Sequence, residues 1–323
     1  MTHIRRYYHD NLCHHPRKAP SQGHLEAAAG EHAVRYGRES LADADIAIGD
    51  VSPKELAAAK NLKWFHLVWA GVDRYKAADF APGVQFTNGS GVYGVMISEH
   101  MMACMLSMLR QLPHYAENQR QHRWDRVWTE DTLEGKTVLI LGAGDIGTQL
   151  AKRLRGFDCR IIGLRRTEGD LPYFDEVHTM DKLDDLLPQA DVVACVLPGT
   201  AATKGLLDRK RLLSMKSNAL LLNCGRGSLI VTRDLEEVLA QGHLGGVALD
   251  VVDPEPLPES SPLWDCPRVV LTPHISGICF GHVARTEDKI YALAAENLRR
   301  YLAGEELLNQ VDFETGYRRR TRT

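Results

Sequence analysis

Very little in this 323-residue chain points toward a polyanion or a membrane. Lys+Arg (39) and Asp+Glu (42) nearly cancel, leaving a formal net charge of −3, and such a balance creates no global attraction to nucleic acid or to an anionic bilayer. Long apolar runs are missing as well. The longest, Val95 to Leu109, is interrupted by Glu99 and His100 and is too short and too polar to cross a hydrocarbon core about 30 Å thick. No secretory apolar segment follows Met1-Thr2-His3-Ile4-Arg5-Arg6. The seven cysteines are an odd number, with neither the paired spacing of a zinc centre nor that of a disulfide framework. These absences predict a cytoplasmic protein with no metal, no nucleic acid and no membrane partner, acting on a small molecule. His14, His15 and His24, in and beside a stretch from Asn11 to Gly23 that matches no pattern, are read as surface residues. The basic run Arg318-Arg319-Arg320-Thr321-Arg322 is short and terminal and predicts a solvated tail. Internal repeats and low-complexity segments are absent too.

The chain does contain a glycine-rich turn in a specific setting. Gly142-Ala143-Gly144-Asp145-Ile146-Gly147 closes the apolar run Thr137 to Leu141 and opens a helical stretch, Thr148 to Leu154. Between strand and helix, such a turn suits a dinucleotide pyrophosphate. The first glycine permits the bend, the second lets backbone N–H groups approach the phosphates, and the third lets helix and strand pack closely. The helix N-terminus then faces the anion. An acidic residue about 20 positions further on normally holds the ribose hydroxyls. Here the second strand, Cys159 to Leu164, ends instead in Arg165 and Arg166. A guanidinium there can pair with a 2′-phosphate, which favours NADP(H) over NAD(H); as solvated loop charges, the two arginines would leave the choice open.

A hydrophobic content of 44% and a charged content of 25% describe an ordinary globular chain, and its length suggests about two domains. Beyond Lys136, short apolar runs at Val138–Leu141, Arg160–Leu164, Val192–Leu197, Ala219–Asn223, Gly246–Leu249 and Val269–Leu271 alternate with helical patterns, the rhythm of a doubly wound parallel sheet. A smaller region precedes it, with strands expected at Ala33–Tyr36, Asp45–Ile48, Trp64–Leu67 and Gln85–Phe86 and a first strand near Ile4–Tyr8. Helical patterns over Ser98 to Arg120 and Val283 to Ala303 bracket the glycine-bearing unit. The predicted architecture is α/β with two doubly wound domains. A Rossmann dinucleotide-binding domain (101–285) is inserted in a flavodoxin-like substrate domain, made of 1–100 and a returning helix and tail, 286–323. Ligand and chemistry are expected in the crevice between them.

Three polar residues are expected at strand ends, where open α/β sheets bind ligands. Arg226 follows Leu220 to Asn223, His274 follows Val269 to Leu271, and Glu255 stands between Pro254 and Pro256 beyond Val247 to Asp250. Hydride delivery to a ketone generates alkoxide charge and calls for a positive group and a proton donor; Arg226 and His274 supply both. A carboxylate paired with the histidine would favour the imidazolium. Singly, each of the three could equally cap a turn or decorate a loop.

Nine segments, in chain order, resemble the D-isomer-specific 2-hydroxyacid dehydrogenase family over nearly the whole length. They are Ala70-Gly71-Val72-Asp73, Ser98-Glu99-His100, Leu133 to Lys136, the Gly142 to Gly147 turn, Pro198 with Thr200 and Thr203, Asn223 to Gly227, Ala248 to Asp250, Pro254 to Pro256, and Thr272-Pro273-His274. The resemblance implies that Arg226 binds the substrate carboxylate and carbonyl, that His274 is the acid/base, and that Glu255 orients and charges it. It further implies that Asp250 touches the nicotinamide amide, that Pro198 and Thr203 join Gly142, Gly144, Asp145, Ile146 and Gly147 around the cofactor, and that backbone N–H groups at Ala70, Gly71 and Val72 hold the carboxylate. Trp69 and Tyr93 depart from the commoner pattern. Either they narrow the pocket toward a short 2-keto acid such as glyoxylate or hydroxypyruvate, or they pack between domains. The methionine-rich helix Val95 to Leu109 resembles the segment through which family members form twofold dimers, so a homodimer is expected unless those side chains are ordinary core. Phosphite or another small anion as substrate, and a dinucleotide-sensing corepressor on the same fold, are the competing functions; the set Arg226, Glu255 and His274 argues against the latter.

Overall fold

The computed structural model describes residues 4–7, 22–313 and 317–318 and separates into two compact units, Met1–Tyr93 with Cys279–Thr323, and Gly94–Ile278. These divisions fall a few residues ahead of the expected 100/101 and 285/286. His14, His15 and the tail beyond Arg318 lie outside the described residues.

The first unit is built on five parallel strands, β1 (Ile4–Tyr7), β2 (Val34–Tyr36), β3 (Ile46–Gly49), β4 (Trp64–Leu67) and β5 (Gln85–Asn88), in the order β2-β1-β3-β4-β5. That is the flavodoxin-like winding. Helices α1 (Gln22–Ala29) and α2 (Pro53–Leu56) lie between strands; the second starts on a capping box, with Ser52 and Glu55 satisfying each other's backbone N–H. Every residue of β3 and β4 is buried, as expected of parallel strands covered on both faces. Successive β4 side chains serve opposite faces. Phe65 packs among Tyr75, Phe80 and Phe86.

In the second unit, the strands are β6 (Thr137–Leu141), β7 (Arg160–Arg165), β8 (Glu176–Thr179), β9 (Val192–Cys195), β10 (Leu220–Asn223), β11 (Gly246–Leu249) and β12 (Val269–Leu271). All are parallel, in the order β12-β11-β10-β9-β6-β7-β8. The order reverses between β6 and β9, which makes their carboxyl ends the topological switch point of a Rossmann sheet. The unit's helices are α3 (Gly94–Leu109), α4 (Leu112–Arg120), α5 (Asp145–Leu154), α6 (Leu183–Leu186), α7 (Arg209–Ser214) and α8 (Thr232–Ala240). Amphipathic spacing sets their docking: α5 buries Gly147, Leu150, Ala151 and Leu154, one stripe of a 3.6-residue period.

The expected single helix over Ser98 to Arg120 is in fact two. Pro113 has no N–H to offer the Leu109 carbonyl, which instead accepts from Asp131 N–H at 2.9 Å, and Gln111 turns into the left-handed region at φ 56°. In α3, Met101, Met102, Met105 and Met108 are buried in the single chain, so these methionines are core. Strand β8, absent from the sequence reading, is a short edge strand whose residues are all half-buried, and its Glu and His leave no apolar run to detect.

The chain then returns to the first unit through α9 (Ala284–Ala303), which packs on α1 and stacks Tyr301 on Trp64 with ring centroids 5.4 Å apart. A short antiparallel pair, β13 (Val311–Asp312) and β14 (Tyr317–Arg318), follows.

Candidate active site

The glycine turn sits at the carboxyl end of β6. Gly142 has φ 113°, and a Cβ on Gly147 would overlap the Gly142 carbonyl oxygen; the bend and the close helix–strand approach therefore both require glycine. A Cβ on Gly144 would meet nothing within 4 Å, and no described residue accepts from the N–H of Ile146 or Gly147. Open space beside unclaimed N–H groups at a helix start fits a pyrophosphate. The Asp145 side chain turns elsewhere: its Oδ2 accepts from Gly94 N–H at 2.9 Å, at the start of α3. At the other side of the switch point, Thr203 Oγ1 donates to the Pro198 carbonyl at 2.7 Å and accepts from Thr200 N–H at 2.9 Å, bracing the loop after β9. Arg165 ends β7, half-buried, and its side chain makes no ion pair or hydrogen bond among the described residues. Arg166 follows it, exposed. The pair stands at the carboxyl end of β7, the strand beside β6 and its glycine turn.

Arg226, Glu255 and His274 follow the carboxyl ends of β10, β11 and β12, three adjacent strands of one sheet. Asn223 shapes the arginine loop, its Nδ2 donating to the Arg226 carbonyl at 2.9 Å and its Oδ1 accepting from Gly225 N–H at 3.1 Å. Arg226 Nη1 donates to the Gly225 carbonyl at 2.7 Å. His274 Nδ1 lies 2.9 Å from Glu255 Oε2. Because an ionised carboxylate only accepts, Nδ1 carries the proton of that bond and Nε2 is the atom left to face a ligand. Glu255 is fixed in turn, its Oε1 accepting from Val252 N–H at 3.2 Å. The imidazole and carboxylate are 51% and 39% exposed, so both remain open to a reactant.

Asp250 is only 2% exposed. Burial pushes its carboxyl up, but hydrogen bonds from the Ser276 and Thr272 side chains and from the N–H groups of Ile275 and Ser276 outweigh that effect and hold it below the usual carboxylate range. Both oxygens are thus engaged with the His274 turn, an involvement the sequence reading missed; Thr272 in the matched Thr272-Pro273-His274 segment was the available signal.

In the first unit, Ala70, Gly71 and Val72 follow β4, and no described residue accepts from their three backbone N–H groups. Asn88 Nδ2 holds this loop through the Ala70 carbonyl at 2.7 Å. Tyr93 is 4% exposed and its hydroxyl donates to the Val68 carbonyl at 2.7 Å. It stacks on Trp69, which also meets Phe280 edge-on at 5.1 Å. Tyr93 therefore backs Trp69, which stays partly exposed. Phe280 gave no signal in the sequence. His24 is paired with Asp288 at 2.8 Å on the surface, and among the described residues no cluster of His, Cys, Asp or Glu could hold a metal.

A Rossmann sheet with this turn at its switch point, and an arginine and a histidine–carboxylate pair on the adjoining strand ends, defines the class of NAD(P)-dependent dehydrogenases. Residues 102–276 match the D-isomer specific 2-hydroxyacid dehydrogenase NAD binding domain, and the chain belongs to that family. It is 31% identical over 292 residues to a glyoxylate reductase of Thermofilum pendens, covering 85% of this chain and 82% of the relative. With a glyoxylate/hydroxypyruvate reductase A of Photorhabdus laumondii it shares 31% identity over 283 residues, 85% and 88% of the two chains. The solved structure of a D-isomer specific 2-hydroxyacid dehydrogenase from Xanthobacter autotrophicus Py2, in complex with NADPH and MES, is similar with a TM-score of 0.83 at 30% identity, covering 98% of this chain and 100% of that one.

Proposed function

We propose that the protein is a 2-keto acid reductase that uses NADP(H) in preference to NAD(H) and acts on a short substrate such as glyoxylate or hydroxypyruvate, giving the D-2-hydroxy acid where the product is chiral. The observation that carries this reading is the 2.9 Å contact between His274 Nδ1 and Glu255 Oε2, on a sheet edge that also presents Arg226. The bound nicotinamide supplies the hydride. Arg226 grips the substrate carboxylate and polarises the carbonyl, so that negative charge developing on the carbonyl oxygen is met by a fixed cation. His274 gives that oxygen a proton from Nε2, and Glu255 holds the ring in the orientation and charge state for the transfer. One hydride and one proton convert ketone to alcohol.

The amides of Ala70, Gly71 and Val72 are proposed as further carboxylate donors, and Trp69, backed by Tyr93, as the group that limits substrate length. The turn from Gly142 to Gly147, with Pro198 and Thr203, would hold the cofactor, and Arg165 with Arg166 its 2′-phosphate; the Photorhabdus relative and the NADPH complex of the Xanthobacter structure support the substrate and cofactor choices. A cytoplasmic setting suits the six described cysteines, all free thiols. Trp124, 96% exposed, and Trp128, 76% exposed, give the second unit an apolar surface suited to a homodimer contact, which sedimentation of the full chain would test.

The reading as a whole is tested by a screen of short 2-keto acids with each cofactor. NADPH should be oxidised in the presence of glyoxylate or hydroxypyruvate, faster than NADH. Absence of turnover with every keto acid would refute it.

A further inference from the structure

We propose that His100 and Thr272 are positioning residues for His274, acting through the Asp250 carboxylate. The inference rests on the reading of His274 as proton donor, but its geometry lies wholly within the second unit. His274 has φ 54°, a left-handed conformation that a non-glycine residue holds only when its surroundings impose it. Those surroundings centre on Asp250. His274 N–H donates to the Asp250 carbonyl at 2.8 Å and to the Thr272 carbonyl at 3.0 Å, Ile275 N–H donates to Asp250 Oδ1 at 2.9 Å, and Ser276 N–H donates to Oδ2 at 3.0 Å. The buried carboxylate thus clamps the two amides that follow the histidine.

Behind it stands a second layer. Thr272 Oγ1 lies 2.6 Å from Asp250 Oδ1, and His100 Nε2, on α3, lies 3.3 Å from the same hydroxyl. A threonine hydroxyl has one proton and an ionised carboxylate has none to give. The proton of Thr272 therefore goes to Asp250, and His100 must be the donor to Thr272 from Nε2–H. The direction of the chain, His100 to Thr272 to Asp250, follows from proton counting alone. It fixes the tautomer of His100, whose Nε2 also lies 3.5 Å from Cys104 Sγ, and it fixes the rotation of the carboxylate on which the His274 turn hangs. The histidine that, with Glu99, interrupts the apolar run of α3 has its reason here.

The test compares Thr272→Val, which keeps the shape and loses the hydroxyl, with Thr272→Ser, which restores it. In the full chain without ligands, amide hydrogen exchange at Ile275 and Ser276 should be about tenfold or more faster in Thr272→Val, the scale expected for one lost hydrogen bond to a charged acceptor, and near wild type in Thr272→Ser. In keto-acid reduction, kcat should fall by about tenfold in Thr272→Val, with the substrate KM and the dissociation constant for NADPH within about twofold of wild type. His100→Leu should move both readouts in the same direction by a smaller factor, and His100→Gln, which keeps an N–H donor, should recover them; this pair decides the matter if Thr272→Val does not fold. Wild-type exchange rates in both Thr272→Val and His100→Leu would overturn the proposal, as would a weakened NADPH affinity with unchanged kcat. If the wild-type protein reduces no keto acid, the proposed function fails while the exchange measurement still decides the role of His100 and Thr272.

Discussion

His66 makes the first unit acid-sensitive, by an amount that can be worked out. The residue is fully buried on β4, with Nδ1 2.7 Å from Thr87 Oγ1 and that oxygen already accepting the Trp64 Nε1–H at 2.9 Å. Nδ1 is bonded to Thr87, and Nε2 has no partner among the described residues. With no acceptor at Nε2 for the second proton of an imidazolium, burial lowers the pKa from the ordinary 6.5 to about 3. The folded state then binds fewer protons than the unfolded state at any pH between those two values, so stability is lost as the pH falls through that window and is unaffected above it. At about pH 5 the loss is about 2 kcal/mol, and by about pH 3 it reaches roughly 4 kcal/mol. His66→Asn keeps an acceptor near the Nδ1 position and removes the titration. Urea midpoints followed by circular dichroism should show the variant less stable than wild type near neutrality, through lost packing, with the gap closing by about 2 kcal/mol on going to about pH 5. Parallel pH profiles for the two proteins would refute the argument, because they would mean that the buried ring takes up its proton without cost.

Other consequences can be checked more briefly. Replacing Arg165 and Arg166 together with Ala should raise the KM for NADPH by about tenfold or more, on the scale of lost charge-assisted contacts to phosphate, and leave that for NADH within about twofold; equal effects would remove the arginines from the 2′-phosphate. Glu255→Gln should keep the hydrogen-bond length to His274 but lower kcat by about a hundredfold, with NADPH affinity unchanged by fluorescence titration. Tyr93→Phe should cost about 1 kcal/mol of stability through the lost bond to the Val68 carbonyl while leaving the keto-acid preference unaltered, as a packing residue requires.

The parts of this molecule that could be read from its sequence are those where one residue type has one physical job. Fully buried parallel strands such as Val192–Cys195 and Gly246–Leu249 are written as unbroken apolar runs, and Gly142 and Gly147 are demanded by backbone geometry. The strand-end positions of Arg226, Glu255 and His274 follow from the apolar runs that precede them, while their roles are implied by the family resemblance. What could not be read depends on partners distant in the chain. Strand β8 exists because it pairs with β7, although its own residues alternate weakly. Tyr93 faces inward because the Val68 carbonyl waits for its hydroxyl. The Asp250 carboxylate is spent on Thr272, Ile275 and Ser276, a convergence that no local spacing announces. The division at Tyr93/Gly94 follows from α3 being one continuous helix packed on α5, whereas the Pro113 break was written in the sequence and only its weight was misjudged.

The central claim is that His274 protonates a keto acid held by Arg226, and the decisive measurement is single-turnover reduction of glyoxylate by NADPH in wild type and His274→Gln. The account predicts that hydride transfer slows by a factor on the order of 100 to 10,000 while NADPH still binds normally. Transfer at the wild-type rate in His274→Gln would contradict it.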